Sequence, residues 1–351
     1  MSRFFSEKFK DLEAYTPGEQ PRDQQYIKLN TNENPFPPPP SVARAAQEEA
    51  GRLQLYPDTE CTELRNLLAE QLGVRPQEVL MTNGSDEILN FAFMAFCDAQ
   101  TPALFPNITY GFYPVYAMIN RIPYQEIPLQ EDWTIRLEDY AGIRGTVFLA
   151  NPNAPTGVAL DRDRIEWFLK KRPDDLLVVD EAYVDFGAES CVPLIPKYDR
   201  LLICQTFSKS RSMAGARLGF GIGSEALIRD LNTIKFSTNP YTVNRMTAAA
   251  GAACLREQKT ADKNCRTIIE NREWTAAALK SLGFEMTDSK ANFLFVRHPG
   301  IGGEALYREL KSRGILIRHF SRKEIEDYNR ISIGTRSQME TLVKEISSLL
   351  H

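Results

Sequence analysis

A lysine, an aspartate and an arginine follow apolar runs of the sequence, in positions where their side chains could act together. Lys209 and Arg217 lie in TFSKSRSMAGARLGF (206–220), directly after the apolar run RLLICQ, and Asp180 ends the apolar run LLVV. In an α/β domain such runs are typically strands, and ligands bind beyond their carboxyl ends. An amine and a carboxylate at that edge can bond to a carbonyl compound and transfer protons.

Three more segments are expected at the same edge of the sheet. They are the turn TNGSDE (82–87), the loop NPNAPTG (151–157) and Tyr110 in NITYGF. The turn leads into a helix, whose first backbone N–H groups can bind an anion. Each segment alone is equally well explained by ordinary turn or helix-start chemistry, so the prediction of a site depends on their coincidence.

Pyridoxal phosphate is the cofactor whose chemistry requires this combination. It needs a lysine for a Schiff base, an acid facing its ring nitrogen, an aromatic ring against its face, and hydroxyl, N–H and arginine donors around its phosphate. We expect Lys209 to carry the Schiff base and the transferred proton, and Asp180 to keep the ring nitrogen protonated. Nucleotide sites fit less well, because the chain has no GxxxxGK[ST] loop and GFGIGS (219–224) lacks the GxGxxG spacing.

The alternation of apolar and amphipathic segments predicts the elements that position these residues. Apolar runs predict strands at 78–82, 146–150, 175–183, 200–207 and 216–223, with helices between several of them. This pattern predicts an α/β domain with a mostly parallel sheet flanked by helices. After about residue 240, long helical patterns and short strands predict a smaller α+β domain. We expect an N-terminal arm with part of the small domain at 1–45, a large cofactor-binding domain at 46–244 and a small C-terminal domain at 245–351.

Composition and charge fit a globular enzyme and argue against several other classes. Hydrophobic residues make up 43% of the 351 residues, and the formal net charge of -4 provides no basic footprint for nucleic acid. No signal-peptide pattern and no run of roughly 18 apolar residues occur, so we expect a cytoplasmic protein that binds no membrane. Six cysteines without CxxC spacing fit a reducing compartment, and three histidines offer no material for a metal site.

Ten motifs, in order over almost the whole chain, resemble a fold-type I pyridoxal-phosphate-dependent aminotransferase of the histidinol-phosphate aminotransferase group. They are KLNTNENPF, YPD, TNGSDEI, NPNAPTG, VVDEAYVDF, TFSKSRSMAGARLGF, PYTVN, SKANF, GILIR and NRISIGT. The resemblance implies the fold type I transferase architecture and a homodimer with shared active sites. It also implies transfer of an amino group between L-histidinol phosphate and 2-oxoglutarate, with glutamate as the co-product, in histidine biosynthesis.

The resemblance further implies cofactor roles for individual motif residues. Lys209 would bond to the cofactor, Asp180 would face the pyridine nitrogen, Tyr183 would donate to the ring's 3-oxygen, and Tyr110 would stack on the ring. The residues implied around the phosphate are Gly84, Ser85 and Asp86, mainly through backbone N–H groups, and the side chains of Thr206, Ser208 and Arg217. Tyr56 would reach the phosphate in the neighbouring subunit's site.

Two arginines of the C-terminal region are candidates for substrate recognition. A guanidinium binds a carboxylate or phosphate through two parallel hydrogen bonds, although Arg318 and Arg330 could equally form surface ion pairs. The resemblance implies that Arg330 binds the α-carboxylate or its equivalent, and that Arg318, with Tyr15 and Asn292, binds the distal phosphate. Because histidinol phosphate lacks the α-carboxylate that glutamate has, these arginines must accept either anion.

The sequence departs from the family pattern at two places. Ala154 stands where the family has an asparagine that holds the ring's 3-oxygen, so that contact is left to Asn153, to Tyr183 alone or to water. The usual FSKAFGLAG is FSKSRSMAG here, which adds Arg211 and Ser212 near the lysine.

Alternative functions stay open at this point. Within the same chemistry, the alternatives are an aromatic amino acid aminotransferase and a threonine-phosphate decarboxylase, because the sequence does not fix which bond of the substrate breaks. A cofactor-free binding protein is the alternative from another class. The joint presence of Lys209, Asp180 and Arg217 argues against it.

Overall fold

The helices and strands come from a computed structural model that describes residues 2–10 and 12–350. Its strands are β1 (Ile27–Lys28), β2 (Val79–Thr82), β3 (Ala103–Pro106), β4 (Tyr124–Ile127), β5 (Thr146–Ala150), β6 (Leu177–Asp180), β7 (Leu201–Thr206), β8 (Gly219–Ile222), β9 (Glu285–Met286), β10 (Phe293–Arg297), β11 (Ile315–Leu316), β12 (Arg318–His319) and β13 (Asn329–Ser332). Its α-helices are α1 (Pro40–Ala50), α2 (Thr62–Leu72), α3 (Ser85–Phe96), α4 (Tyr113–Asn120), α5 (Arg162–Lys171), α6 (Glu225–Thr238), α7 (Arg245–Arg256), α8 (Gln258–Ser281), α9 (Gly303–Ser312) and α10 (Arg336–Leu350).

The large sheet contains seven of these strands in the order β2-β8-β7-β6-β5-β3-β4. β8 runs antiparallel to both of its neighbours, and every pair from β7 to β4 is parallel. This arrangement confirms the predicted α/β class with a mostly parallel sheet. The register sets Ala150 beside Asp180 and Asp180 beside Cys204, so the carboxyl ends of β5, β6 and β7 meet at one edge.

Helices cover both faces of the large sheet. Val147 and Leu149 of β5 pack in a core with α1, α2, α5 and α7, whereas Phe148 packs with α3, α4 and α6 on the opposite face. A strand buried on both faces is a continuous apolar run, which is why the sequence predicts β5, β6 and β7. Strands β3 and β4 were not predicted. β4 is an edge strand in which three of the four residues are exposed, so its sequence YQEI is largely polar.

A second core forms around a small antiparallel sheet of order β12-β13-β10-β9, which packs with α8, α9 and α10. The N-terminal arm joins this part of the molecule, because β1 pairs in parallel with β11 and sets Ile27 beside Ile315. Helix α7 packs with α1 and α2 on the large sheet. We therefore propose that the small domain begins after α7, and the other predicted boundaries stay predictions.

Within residues 2–10 and 12–350, no helix combines the length and the apolar character that a membrane crossing requires.

Candidate active site

Two adjoining cavities lie at the carboxyl edge of β5, β6 and β7. The larger cavity has a volume of about 460 Å³ and the smaller about 410 Å³. Five residues line both of them: Thr31, Tyr110, Ala154, Tyr183 and Lys209. The two spaces therefore meet at the predicted lysine, which lies just beyond the end of β7.

Lys209 is held from the side of the N-terminal arm. Its Nζ atom donates to the carbonyl oxygen of Thr31 at 3.4 Å and lies 5.7 Å from the centroid of the Tyr183 ring. The side-chain amide of Asn34 donates to the backbone oxygen of Lys209 at 2.9 Å. The amine thus makes only a long hydrogen bond to the described protein, which leaves it available to a ligand in either cavity.

Asp180 is a buried carboxylate that lacks a cationic hydrogen-bond partner within the described chain. It ends β6, is only 6% exposed, and accepts a hydrogen bond from the backbone N–H of Ala182 at 3.1 Å. Burial raises the pKa of Asp180 from its ordinary 3.8 to about 7, an effect that the Ala182 hydrogen bond opposes. An acid so placed on a cavity wall is a suitable partner for a cationic ring nitrogen.

The opposite side of the larger cavity provides donors for an anion. Gly84 has a φ of 84° and precedes α3, and the first two residues of that helix, Ser85 and Asp86, line the cavity. The first N–H groups of a helix have no partner within the helix and can bind an anion. A Cβ atom on Gly84 would lie 2.7 Å from Nη2 of Arg217, and one on Gly219 would lie 2.3 Å from the backbone nitrogen of Ser85. The close approach of these segments therefore depends on two glycines.

Side-chain hydroxyls and the arginine complete this set of donors. The lining residues of the larger cavity include Asp86, Thr206, Ser208 and Arg217. The Thr206 oxygen lies 2.9 Å from the Ser208 hydroxyl oxygen and 3.2 Å from the carbonyl oxygen of Leu218, and its single proton can be donated to only one of them. When Thr206 donates to Ser208, the Ser208 proton stays free for a ligand. Gly84 does not line the cavity itself but lies against Arg217, whose backbone has a φ of 55°.

Asp86 orients the aromatic wall and the arginine. Its carboxylate accepts hydrogen bonds from the Tyr110 hydroxyl at 2.6 Å, from the Tyr116 hydroxyl at 3.4 Å and from Nη2 of Arg217 at 3.1 Å. Burial, with the nearby Asp86 charge, raises the pKa of Tyr110, so its hydroxyl stays protonated and keeps donating. The Asp86 side chain therefore positions Tyr110 and Arg217, and its backbone N–H is the group free to bind an anion.

The donor set fits pyridoxal phosphate. A phosphate group fits the helix start, the hydroxyls and the guanidinium, and a protonated ring nitrogen fits the buried carboxylate of Asp180. Tyr110 and Ala154 line the space between them, and Lys209 lies on the same wall as Tyr183. Every one of these side chains is contributed by an element end or a loop, where function is commonly found.

Of the described residues, three arginines line the smaller cavity, and two of them, Arg318 and Arg330, pair only with backbone oxygens, whereas Arg322 forms ion pairs with Glu126 and Glu324. Nη2 of Arg330 donates to the oxygen of Asn30 at 3.1 Å, and Arg318 donates to the oxygens of Thr16 and Pro17 at 3.2 and 3.3 Å. Burial lowers the pKa of Arg330, but a guanidinium stays charged at any physiological pH. Neither arginine forms an ion pair with a carboxylate of residues 2–10 or 12–350. Both charges are thus open to an anionic ligand.

Aromatic side chains complete the smaller cavity. The guanidinium carbons of Arg318 and Arg330 lie 5.6 and 5.8 Å from the centroid of the Phe320 ring. Tyr15 also lines this cavity and stacks on Phe112 with ring centroids 4.2 Å apart.

Besides Gly84, three further predicted site residues do not line either cavity. Asn292 has no exposed surface, and its amide donates to the oxygen of Asn32 at 3.0 Å instead of facing the smaller cavity. Asn153 is also fully buried, and its amide donates to the oxygen of Ile108 at 2.9 Å, so it does not take over the contact that Ala154 lacks. Tyr56 is 77% exposed and stacks on Tyr241, with ring centroids 4.4 Å apart.

Sequence reasoning missed the part of the site that the N-terminal arm provides. Thr31 lines both cavities, Asn32 contacts Tyr183, and Asn34 contacts Lys209. The signal was present, because KLNTNENPF is one of the motifs that carry the resemblance, but a motif does not indicate which distant residue each side chain contacts. Arg211, one of the residues that depart from the family motif, is buried, and its Nη1 atom lies 3.7 Å from the Asp185 carboxylate.

Comparison with known proteins assigns the family. The model of the family "Aminotransferase class I and II" matches residues 24–346. The histidinol-phosphate aminotransferase of Brachyspira hyodysenteriae is 46% identical over 100% of this chain and 99% of that protein. The one from Clostridium acetobutylicum is 44% identical over the full length of both chains.

Solved structures agree with this assignment. A putative histidinol-phosphate aminotransferase from Erwinia carotovora atroseptica has a TM-score of 0.85 at 26% identity, over 92% of this chain and 95% of that chain. The histidinol-phosphate aminotransferase of Sinorhizobium meliloti in complex with pyridoxal-5'-phosphate has a TM-score of 0.84 at 26% identity, over 93% and 92%. The chain therefore belongs to the aminotransferase class I and II family and, as its motifs predicted, to the histidinol-phosphate aminotransferase group within it.

Proposed function

We propose that this chain is a pyridoxal-phosphate-dependent aminotransferase that transfers the amino group of L-histidinol phosphate to 2-oxoglutarate in histidine biosynthesis. The observation that carries the proposal is the meeting of two cavities at Lys209. One cavity is lined both by donors for a phosphate and by the buried acid Asp180. The second has two arginines without carboxylate partners among the described residues.

The larger cavity is proposed as the cofactor site. The first N–H groups of α3, the guanidinium of Arg217 and the hydroxyl of Ser208, which Thr206 supports by a hydrogen bond, would hold the phosphate, and Asp180 would hold the ring nitrogen in its protonated form. When bound, pyridoxal phosphate supplies an aldehyde that takes up the substrate's amine and a ring that accepts the electron pair of the departing α-proton. Ionisation of Asp180 becomes favourable once a cation lies beside it.

Lys209 is proposed to move the proton. Its Nζ atom lies at the junction of the two cavities, so it can remove the proton from the α-carbon of a substrate bound in the smaller one. Tyr183 also lines both cavities, and its hydroxyl would donate to the cofactor ring. Tyr110, whose hydroxyl is fixed by Asp86, would pack against the ring.

Arg318 and Arg330 are proposed to recognise the anionic ends of both substrates. Their guanidinium groups flank Phe320, and each currently donates only to backbone oxygens. A phosphate or carboxylate forms stronger, charge-assisted bonds with a guanidinium than a carbonyl oxygen does. The same pair can therefore accept the phosphate of histidinol phosphate in one half-reaction and the carboxylates of 2-oxoglutarate in the other.

We further propose that the protein is a homodimer that works in the cytoplasm. Tyr56 is exposed and has no place in its own chain's cavities, which supports its assignment to the neighbouring subunit's cofactor phosphate. All six cysteines are buried free thiols, which fits a reducing compartment.

The proposal is tested by product formation and by chemical trapping. Purified protein supplied with cofactor, histidinol phosphate and 2-oxoglutarate should produce glutamate, and omission of either substrate should stop it. Borohydride reduction of the cofactor-loaded protein should leave the cofactor on the peptide that contains Lys209. A protein that takes up no cofactor, or one labelled at another lysine, would contradict the proposal.

A further inference from the structure

A donor is missing beside the cofactor ring. Ala154 lines both cavities at the position where the family has an asparagine, and a methyl group offers no hydrogen bond. The neighbouring Asn153 does not replace it. Its amide nitrogen donates to Ile108 and Thr156, and its amide oxygen accepts from the Thr109 hydroxyl at 2.7 Å, so the whole side chain is used inside the loop.

Asn32 of the N-terminal arm provides an amide on the other side of Tyr183. Its Nδ2 atom donates to the Tyr183 hydroxyl oxygen at 2.9 Å. Asn32 borders the smaller cavity but is only 1% exposed, so this contact is largely shielded from solvent.

Asn32 is fixed in place by three further hydrogen bonds. Its backbone N–H donates to the Ser332 hydroxyl at 2.8 Å, that hydroxyl donates to Oδ1 of Asn32 at 2.9 Å, and Asn292 donates to its backbone oxygen at 3.0 Å. The amide oxygen is therefore occupied by Ser332, which leaves the NH₂ group facing Tyr183. Asn32 also has a φ of 55°, a left-handed conformation that asparagine tolerates better than most residues.

The direction of the Asn32 hydrogen bond determines where the Tyr183 proton points. A phenol oxygen that accepts from an amide N–H keeps its own proton for another acceptor. Tyr183 lines both cavities, so that proton is directed into the space where the cofactor ring is proposed to lie. Hydrogen bonds arranged in a chain polarise and strengthen one another.

We propose that Asn32 is a positioning residue that compensates for Ala154, by making Tyr183 a fixed and stronger donor to the 3-oxygen of the cofactor ring. This inference rests on the proposed cofactor site. One amide that contacts the ring directly in the family is thereby replaced with an amide that acts through a phenol. Asn32 of the N-terminal arm, 122 positions before Ala154, would thus influence the charge distribution of the cofactor ring.

The consequence is a change in the pH at which the bound cofactor loses its proton. A hydrogen bond donated to the 3-oxygen stabilises negative charge there, so the cofactor releases its proton at lower pH. Removing the Asn32 amide weakens that bond, and the protonated form then persists to higher pH. The visible absorption band of the bound cofactor reports this equilibrium directly, without any substrate.

The test is a pH titration of that absorption band in cofactor-loaded variants. In Asn32→Gly, which accepts the left-handed backbone, we expect the midpoint to rise by about half a unit to one unit, the equivalent of one neutral hydrogen bond. Asn32→Asp keeps the contact with Ser332 but presents an acceptor to Tyr183, so the Tyr183 proton turns away from the ring. Its midpoint should rise further than that of Asn32→Gly.

A double variant separates this role from a general loss of structure. If Asn32 acts through Tyr183, the midpoint of Asn32→Gly with Tyr183→Phe should equal that of Tyr183→Phe alone, because the shared pathway is already broken. Additive shifts, or an unchanged midpoint in Asn32→Gly, would overturn the inference. A wild-type protein without any visible band would instead refute the proposed cofactor site, so the two failures are distinguishable.

Discussion

Asp180 shows how a single side chain is prepared for a cationic ligand. The fold buries a carboxylate beside Ala182 and, within the described residues, gives it no hydrogen bond or ion pair from a guanidinium or ammonium, although the Lys209 charge partly opposes the effect of burial. The pKa of Asp180 is raised to about 7 because burial disfavours the charged form. Ionised Asp180 therefore destabilises the cofactor-free protein, and a protonated pyridine nitrogen beside the carboxylate would remove this destabilisation.

The raised pKa of Asp180 predicts that Asp180→Asn changes the free energy of unfolding of the cofactor-free protein in a pH-dependent way. A carboxyl whose pKa is raised in the folded state destabilises the fold as pH rises from about 4 to 7, and the penalty is complete above 7. Asparagine is uncharged, so the free energy of unfolding of the variant should exceed that of wild type by up to about 4 kcal/mol at pH 8. At pH 4 the variant should have no such advantage. Urea unfolding at the two pH values measures the difference. An equal difference at both would show that the Asp180 charge is already compensated.

Arg318 permits a prediction about substrate choice at the same scale. In the cofactor-free and substrate-free chain its guanidinium donates to two backbone oxygens, and on substrate binding it would donate to the anion instead. A hydrogen bond to a charged group contributes about 1.5 to 3 kcal/mol to binding. Arg318→Gln should therefore raise KM for histidinol phosphate by roughly tenfold or more, and raise KM for phenylalanine less. Arg313→Gln, in which a surface ion pair with Glu345 is lost instead, serves as the control. Equal increases for both substrates would remove Arg318 from phosphate recognition.

At the scale of elements, the site depends on how closely β8 approaches the start of α3. Gly219 opens β8, and a Cβ there would lie 2.3 Å from the backbone nitrogen of Ser85. No backbone atom can yield as a flexible side chain can, so one of the two elements must shift. The N–H groups that are proposed to hold the phosphate belong to α3, and Arg217 lies just before β8, so a shift of either element would disturb the proposed phosphate site.

Gly219→Ala should therefore weaken cofactor binding by at least about tenfold while leaving the protein folded, because a misplaced helix start loses one or more charge-assisted hydrogen bonds. Titration of the cofactor-free protein with pyridoxal phosphate, followed by absorbance, gives the dissociation constant. Gly302→Ala is a suitable control, since a Cβ at Gly302 meets nothing within 4 Å. A cofactor affinity of Gly219→Ala that matches this control would contradict the proposed phosphate site.

The elements also show what sequence could and could not predict. Strands β5, β6 and β7 were predicted because burial on both faces makes them apolar runs, and their shared edge placed Asp180 and Lys209 together. Edge strand β4 was missed because its exposed residues are polar. The orientation of Asn153 could not be predicted, since one residue of the loop NPNAPTG faces the cavity and its neighbour faces Ile108. Contacts between Asn32 and Tyr183 join positions 151 residues apart, and no local pattern encodes them.

At the scale of the whole molecule, the N-terminal arm joins the site to the small domain. Strand β1 pairs with β11, and residues shortly after it contact Lys209, Tyr183 and Arg330. Before β1, the Glu19 carboxylate accepts hydrogen bonds from the side chains of Tyr307 and Lys311 of α9. The smaller cavity is thus built from segments at opposite ends of the chain, from Tyr15 to Arg330, so a fragment of either domain should not bind substrate.

The proposed exchange of Tyr56 between subunits predicts complementation in mixed dimers. Lys209→Ala lacks the amine, and Tyr56→Ala lacks the hydroxyl offered to the partner, so each protein alone should be poorly active at limiting cofactor. A random mixture should recover roughly a quarter of wild-type activity, because half of the dimers contain one intact site. Unfolding and refolding the two proteins together, compared with refolding each alone, tests this. Recovery no greater than the average of the separate proteins would contradict a shared site.

The central claim is that this molecule removes the amino group of histidinol phosphate at Lys209. A single-turnover experiment without 2-oxoglutarate tests it most directly, by following the visible band of the cofactor-loaded protein after addition of histidinol phosphate, phenylalanine or threonine phosphate. We predict that histidinol phosphate converts the band to that of the amine form fastest and at the lowest concentration, and that none of the three releases carbon dioxide. Faster conversion with phenylalanine, or carbon dioxide from threonine phosphate, would contradict the account.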